Sequence, residues 1–234
     1  MTHIKEYLAD NTDYFSPDPD EDSNLIVELF EEKYIAIHPS SNSSAIIVEG
    51  DSFSFYPRSV KWLLLLPEEQ EVKEFIEQLE LKLTSIEHWD YCYDEILEFC
   101  EEISLLECLA YLKYTMQEHK LPFLPGPKTK LVLARALEEY SVSQVYNFIW
   151  RGVKDSAAFY MRAETNKKHA ANTVVGNIEK NFERALSLGW EVKAFGRDRS
   201  MPQSVISRIL FNVLLRTDDG GFRLPLNKII QVPF

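Results

Sequence analysis

Ala45-Ile46-Ile47-Val48-Glu49-Gly50-Asp51-Ser52-Phe53-Ser54-Phe55-Tyr56 is the stretch that separates an α+β reading of this chain from an all-helical one. A β-branched run enters Gly50-Asp51, and polar and aromatic residues then alternate. Alternation at period two puts Phe53 and Phe55 on one face of a half-buried strand. A Gly-Asp pair between two such runs makes a tight hairpin. Tyr34 to His38 upstream carries the same β-branched and aromatic bias, and Trp62 to Leu66 downstream, one aromatic and four leucines, offers a fourth short run. The expectation is a small antiparallel sheet near the N-terminus.

Outward from that sheet the period changes. After Pro67, apolar residues Val72, Phe75, Ile76, Leu79 and Leu83 recur at helical spacing, with glutamates on the other faces. Asp90 suits the N-cap of a second, long helix reaching about His119 through Ile96, Phe99, Cys100, Ile103, Leu106 and Ala110. Leu121 to Pro127 holds three prolines and ends it. Four more helices are expected, over about 128–139, 142–162, 167–188 and 201–216. Gly189 caps the third. Ser200 and Gln203 form a capping box for the fourth, with Val205, Ile206, Ile209, Leu210, Val213 and Leu214 as its buried stripe. Residues 11–23, rich in Asn, Asp, Ser and Pro, read as a solvated loop after a short opening helix. The fold class is α+β, a small N-terminal antiparallel sheet followed by a predominantly helical body.

The chain has 234 residues and a net charge of -12, but the charge is unevenly spread. Residues 1–120 hold 27 Asp and Glu against 8 Lys and Arg, a balance of -19, and residues 121–234 balance at +7. The sign changes at the proline-rich segment, which suggests an acidic α+β region over 1–120 and a basic, mainly helical region over 121–234. An elbow within one continuous domain would give the same two signals. Such asymmetry points to a polyanionic partner for the basic half, a basic partner for the acidic half, or docking of one on the other. The longest aliphatic run is Leu63 to Leu66, and the opening residues lack a basic cluster followed by an apolar stretch. A cytoplasmic protein away from the membrane is expected. Cys92, Cys100 and Cys108 lie eight apart on one helix, roughly 12 Å between neighbours, too far for disulfides with one another.

Catalytic and metal motifs fail on spacing. Asp18, Asp20 and Asp22 match the first ligands of a calcium loop, but Ser23 replaces its glycine and Leu29 its closing glutamate. His88 and Cys92, even with Asp94 and His119, lack the second close pair that zinc needs. Gly126-Pro127-Lys128-Thr129 places a proline where a phosphate loop needs an N–H. No cofactor or metal is expected. One short pattern stays open: Arg162 and His169, with Asn166 between them, resemble the Arg-x4-6-His signature of the helical HEPN ribonucleases. That resemblance implies His169 as general acid or base and Arg162 as phosphate clamp, over eight residues of chain.

The leading expectation is a non-enzymatic interaction protein whose basic half contacts DNA or RNA through Lys167, Lys168, Arg197, Arg199 and Arg208. On the last helix Ser204, Arg208 and Asn212 share a face suited to a groove. The alternatives are the ribonuclease on Arg162 and His169, and an acidic inhibitor or immunity-type protein binding a basic partner.

Overall fold

α1 (Pro19–Glu31) opens at a proline, whose fixed φ suits a helix's first turn. The computed structural model describes residues 15–66, 72–83, 85–162, 165–217 and 221–229. The opening helix expected before residue 11 lies outside them. The solvated loop expected over 11–23 is corrected at its C-terminal end, where residues 19–23 are helical and Asp18 and Asp22 are buried. Asp18 is held by Lys113, whose Nζ donates to Oδ2 at 2.6 Å.

The chain divides into two compact units, Met1–Phe15 with Pro19–Tyr91, and Ser16–Asp18 with Cys92–Phe234. In the first, β1 (Ile35–Ile37), β2 (Ile46–Glu49), β3 (Ser52–Phe55) and β4 (Trp62–Leu64) pair antiparallel, though as two two-stranded sheets instead of one. β1 pairs with β4, Ile35 opposite Leu64. β2 pairs with β3 across Gly50, whose φ of 61° is the left-handed conformation the turn requires. Phe53 and Phe55 share a face, as alternation demands, and meet Phe30 of α1 at centroid distances of 6.4 and 5.1 Å. Trp62 closes the cluster at 5.7 Å from Phe55. α2 (Val72–Leu83) is the first of the helices read from the pattern.

α3 (Ile86–Glu118) carries the boundary between the units. From Leu106 to Leu112 every residue is buried, so two helical turns are enclosed on all sides. That enclosure explains why the second unit starts at Cys92, upstream of the charge reversal. Lys120, at φ 55°, turns the chain into the proline-rich segment, and Gly126 and Pro127 start α4 (Pro127–Glu139). α5 (Val142–Arg162) lies against α3 through Tyr146, stacked on Tyr111 at 3.8 Å. α6 (Lys167–Asn172) and α7 (Val174–Leu188) replace the single helix expected over 167–188. The break is at Thr173, whose hydroxyl lies 2.7 Å from Ala170 O of its own turn and 3.0 Å from Ser156 Oγ of α5. α7 packs on α5 at Gly152, where an added Cβ would lie 2.6 Å from Ile178 Cγ1. Gly189, at φ 63°, caps α7.

The expected last helix is corrected. Ser204, not Ser200, caps it by accepting from Ser207 N, and α8 (Val205–Ser207) runs directly into a π-helix over Arg208–Leu214. Bonding from i to i+5 turns each residue less than an α-helix does, so a stripe drawn at period 3.6 slips out of phase. Leu210 and Phe211 are buried while Ile209 and Val213 are exposed. Phe211 packs over Gly221, which sits at φ 69°. α9 (Leu226–Ile229) ends the described chain. Among the described residues no helix is long and apolar enough to cross a membrane.

Candidate functional site

The most concentrated polar chemistry in the helical unit surrounds Glu107, on the fully enclosed part of α3. Arg197 Nη2 lies 3.1 Å from Glu107 Oε2, and Ser207 Oγ donates to Oε1 at 2.9 Å. Glu107 is 3% exposed. Burial pushes its carboxyl above the usual value, and Arg197 with Ser207 pulls the other way without cancelling the rise. The Arg197 guanidinium also lies 4.4 Å over the Phe222 ring. Burial likewise pushes the Tyr111 hydroxyl up to about 12 and the Cys100 thiol up to about 12, and raises Cys108 well above its ordinary value. These groups are enclosed and held neutral or paired. The arrangement joins α3, the 190–204 segment and α8, and presents no reactive group to a substrate.

Arg197, one of the five expected phosphate contacts, is therefore committed to the core. The other four, Lys167, Lys168, Arg199 and Arg208, are exposed and make no ion pair among the described residues. Lys128 and Arg135 differ from these, being tied to Glu179 and Glu183 between α4 and α7 at 3.0 to 3.5 Å. Nor do the four form one cluster. The segment leading to Arg199 is pinned to the start of α5, Phe195 N donating to Ser143 O, while α6 meets the far end through His169 beside Phe159. Ser143 and Phe159 are roughly 24 Å apart along a helix rising about 1.5 Å per residue.

What spans that gap is the outer face of α5. Trp150, Arg151, Lys154, Met161 and Arg162 recur at helical spacing and are exposed, with Asp155 beside them on α5 and exposed Glu191 lining the same pocket as Arg151. Lys154 Nζ lies 4.7 Å over the Trp150 ring. Trp190 (47% exposed) adds a second aromatic near Arg151, beside the Trp150 end of this face. Three cations and two tryptophans thus lie along α5 between the Phe195 segment, which leads to Arg199, and α6, which carries Lys167 and Lys168. The sequence signal was available, as spacings of three and eight from Arg151 to Lys154 to Arg162, but these bases are too dispersed to stand out as a cluster. The neighbouring segment is anchored by side chains of α5, Asn147 donating to Lys193 O at 2.9 Å. Gln144 donates to Val192 O at 3.2 Å.

The groove-facing surface expected on the last helix reduces to Arg208. Ser204 is a buried cap, and Asn212 accepts from Gln203 at 2.9 Å. Arg162 Nε donates to Ala158 O at 3.2 Å, and His169 is exposed on α6, its backbone N–H donating to the Asn166 cap at 2.8 Å. The chain matches no protein family, no curated protein and no solved structure. Among the described residues, no group of three or more His, Cys, Asp or Glu side chains is placed to hold a metal ion. The side chains of His88 and Cys92 lie outside the described residues.

Proposed function

We propose that this chain is a non-enzymatic interaction protein that binds nucleic acid across α5, with Lys167 and Lys168 at one end and Arg199 and Arg208 at the other. The observation that carries the reading is the contrast in cation pairing. Lys128, Arg135 and Arg197 are spent on internal carboxylates, while the cations along and beyond the α5 face have none. Unpaired lysines and arginines on one surface release counterions when they meet phosphates, and exposed tryptophans beside them offer stacking faces to bases.

The test is binding of the full chain to fluorescein-labelled single-stranded DNA, RNA and duplex at low salt, followed by salt titration. Arg151→Glu with Lys154→Glu should weaken binding most, because it breaks the path between the two ends. Arg199→Glu with Arg208→Glu, and Lys167→Glu with Lys168→Glu, should each remove part of the salt dependence. Arg197 is unsuitable as a probe, since its loss would disturb the core. A chain that binds none of the three nucleic acids at low salt is not a nucleic-acid-binding protein.

A ribonuclease built on Arg162 and His169 is the second reading, favoured by their exposure on successive helices, Arg162 at the end of α5 and His169 in α6. Mixed RNA incubated with wild type and with His169→Ala decides it, equal cleavage excluding the histidine's role.

A further inference from the structure

A second surface in the helical unit has the opposite character. Residues of α3, α4 and α9 line a groove of about 630 Å³. Its floor is apolar, formed by Leu105 of α3, Ala134 and Leu137 of α4, and Leu226 of α9. Its rim is acidic, with Glu98, Glu101 and Glu102 along α3 and Glu138 on α4. All four glutamates are exposed, and none makes an ion pair among the described residues. Leu97, Glu101 and Leu105 follow one another at i, i+4 and i+8, with Glu98 and Glu102 on the adjoining row, so apolar and acidic side chains are interleaved along α3 for roughly 12 Å.

We propose that this groove docks a basic amphipathic helix of a protein partner. Apolar side chains at i, i+3 or i+4, and i+7 would reach the floor, and lysines or arginines flanking them would meet the four glutamates. An α-helix is the occupant that the walls suit. They are helices and offer no open strand edge, so an extended peptide would find no backbone partners there, whereas a helix bonds its own N–H and C=O groups. Charge complementarity decides the sign of the partner, because an acidic helix would place like charges against the rim. The site is separate from the cationic face of α5 and does not depend on nucleic-acid binding.

The probe is a synthetic amphipathic peptide of about fourteen residues, roughly four turns, with leucines at helical spacing and lysines elsewhere. A control carries glutamate at every lysine position. Fluorescence anisotropy with the full chain should show binding of the lysine peptide, helix formation on binding by circular dichroism, and no binding of the control. Glu98→Lys with Glu102→Lys should weaken binding by about tenfold or more, and so should Ala134→Trp, which fills the floor without changing charge. Both variants should melt like wild type. If Ala134→Trp disturbs folding, Ala134→Leu tests the floor in its place. Lysine-peptide binding that persists in the floor variant would show attraction to acidic surface alone and overturn the proposal. So would a chain that dimerises through this face, with Ala134→Trp yielding monomer, since the occupant would then be a second copy.

Discussion

Arg197 and Arg208 are eleven residues apart and are both expected from sequence to contact phosphate, yet they occupy opposite physical regimes. Arg197 is drawn onto a buried carboxylate and an aromatic ring, where it compensates the cost of enclosing Glu107. Arg208 stands in solvent on the first turn of the π-helix with no ion pair among the described residues. Charge counted along a chain is therefore not charge available to a partner. Only the folded arrangement separates the cations that hold α3 in place from those left for binding, and the separation runs through the whole helical unit.

The sharpest way to break this comparison is to remove each arginine in turn. Arg197→Ala should cost about 3–5 kcal/mol in urea unfolding, because it strands a buried carboxylate, while Arg208→Ala should stay within about 0.5 kcal/mol of wild type. Equal effects would erase the distinction. Gly221→Ala probes the same region by sterics. Its methyl would meet the Phe211 ring at 2.3 Å on a left-handed backbone, and a loss of about 1–3 kcal/mol is expected on the same urea assay.

A finer distinction comes from pH. The Glu107 carboxyl has a folded pKa above its ordinary value of 4.5, so its favourable contribution is present below that value and is lost as pH rises through the raised one. Unfolding curves collected over that range should show the loss in wild type and a flatter profile in Glu107→Gln. Superimposable profiles would show that burial does not govern this group. The smallest effect is chemical. With Cys92 replaced by serine, the buried thiols of Cys100 and Cys108 should resist a thiol-specific reagent near pH 8 until the chain unfolds, and fast labelling of the native protein would contradict their enclosure.

Much of the fold is legible in the chain because local rules govern it. The Phe53 and Phe55 alternation, the Gly50 turn, the proline stop after α3 and the Gly189 cap each depend on a few neighbouring residues. What escapes is set by distant contacts. The 3.6 period of Val205 to Leu214 is overridden when Phe211 packs against Gly221, and a π-helix results. Thr173 marks the break between α6 and α7, where its hydroxyl meets both Ala170 O and Ser156 of α5. α1 goes unread because the polar composition around Pro19 masks a helix start. The same logic covers the site. Lys167, Lys168, Arg199 and Arg208 can be nominated as cations from sequence, but the loss of Arg197 to Glu107 and the bridging role proposed for Arg151 and Lys154 need the packing of 190–197 on α5. That packing also makes the isolated 121–234 segment a poor object for binding studies, since it lacks the part of α3 that carries Glu107 and Tyr111.

The central claim is that the unpaired cations of α5 and its two ends form one nucleic-acid-binding face. The salt dependence of single-stranded DNA binding by the full chain, compared with Arg151→Glu/Lys154→Glu, tests it most directly. The prediction is a linear fall of log K with log salt, with a slope that shrinks by about 0.7 for each phosphate contact the variant removes. Binding absent at low salt, or an unchanged slope in the variant, would contradict it.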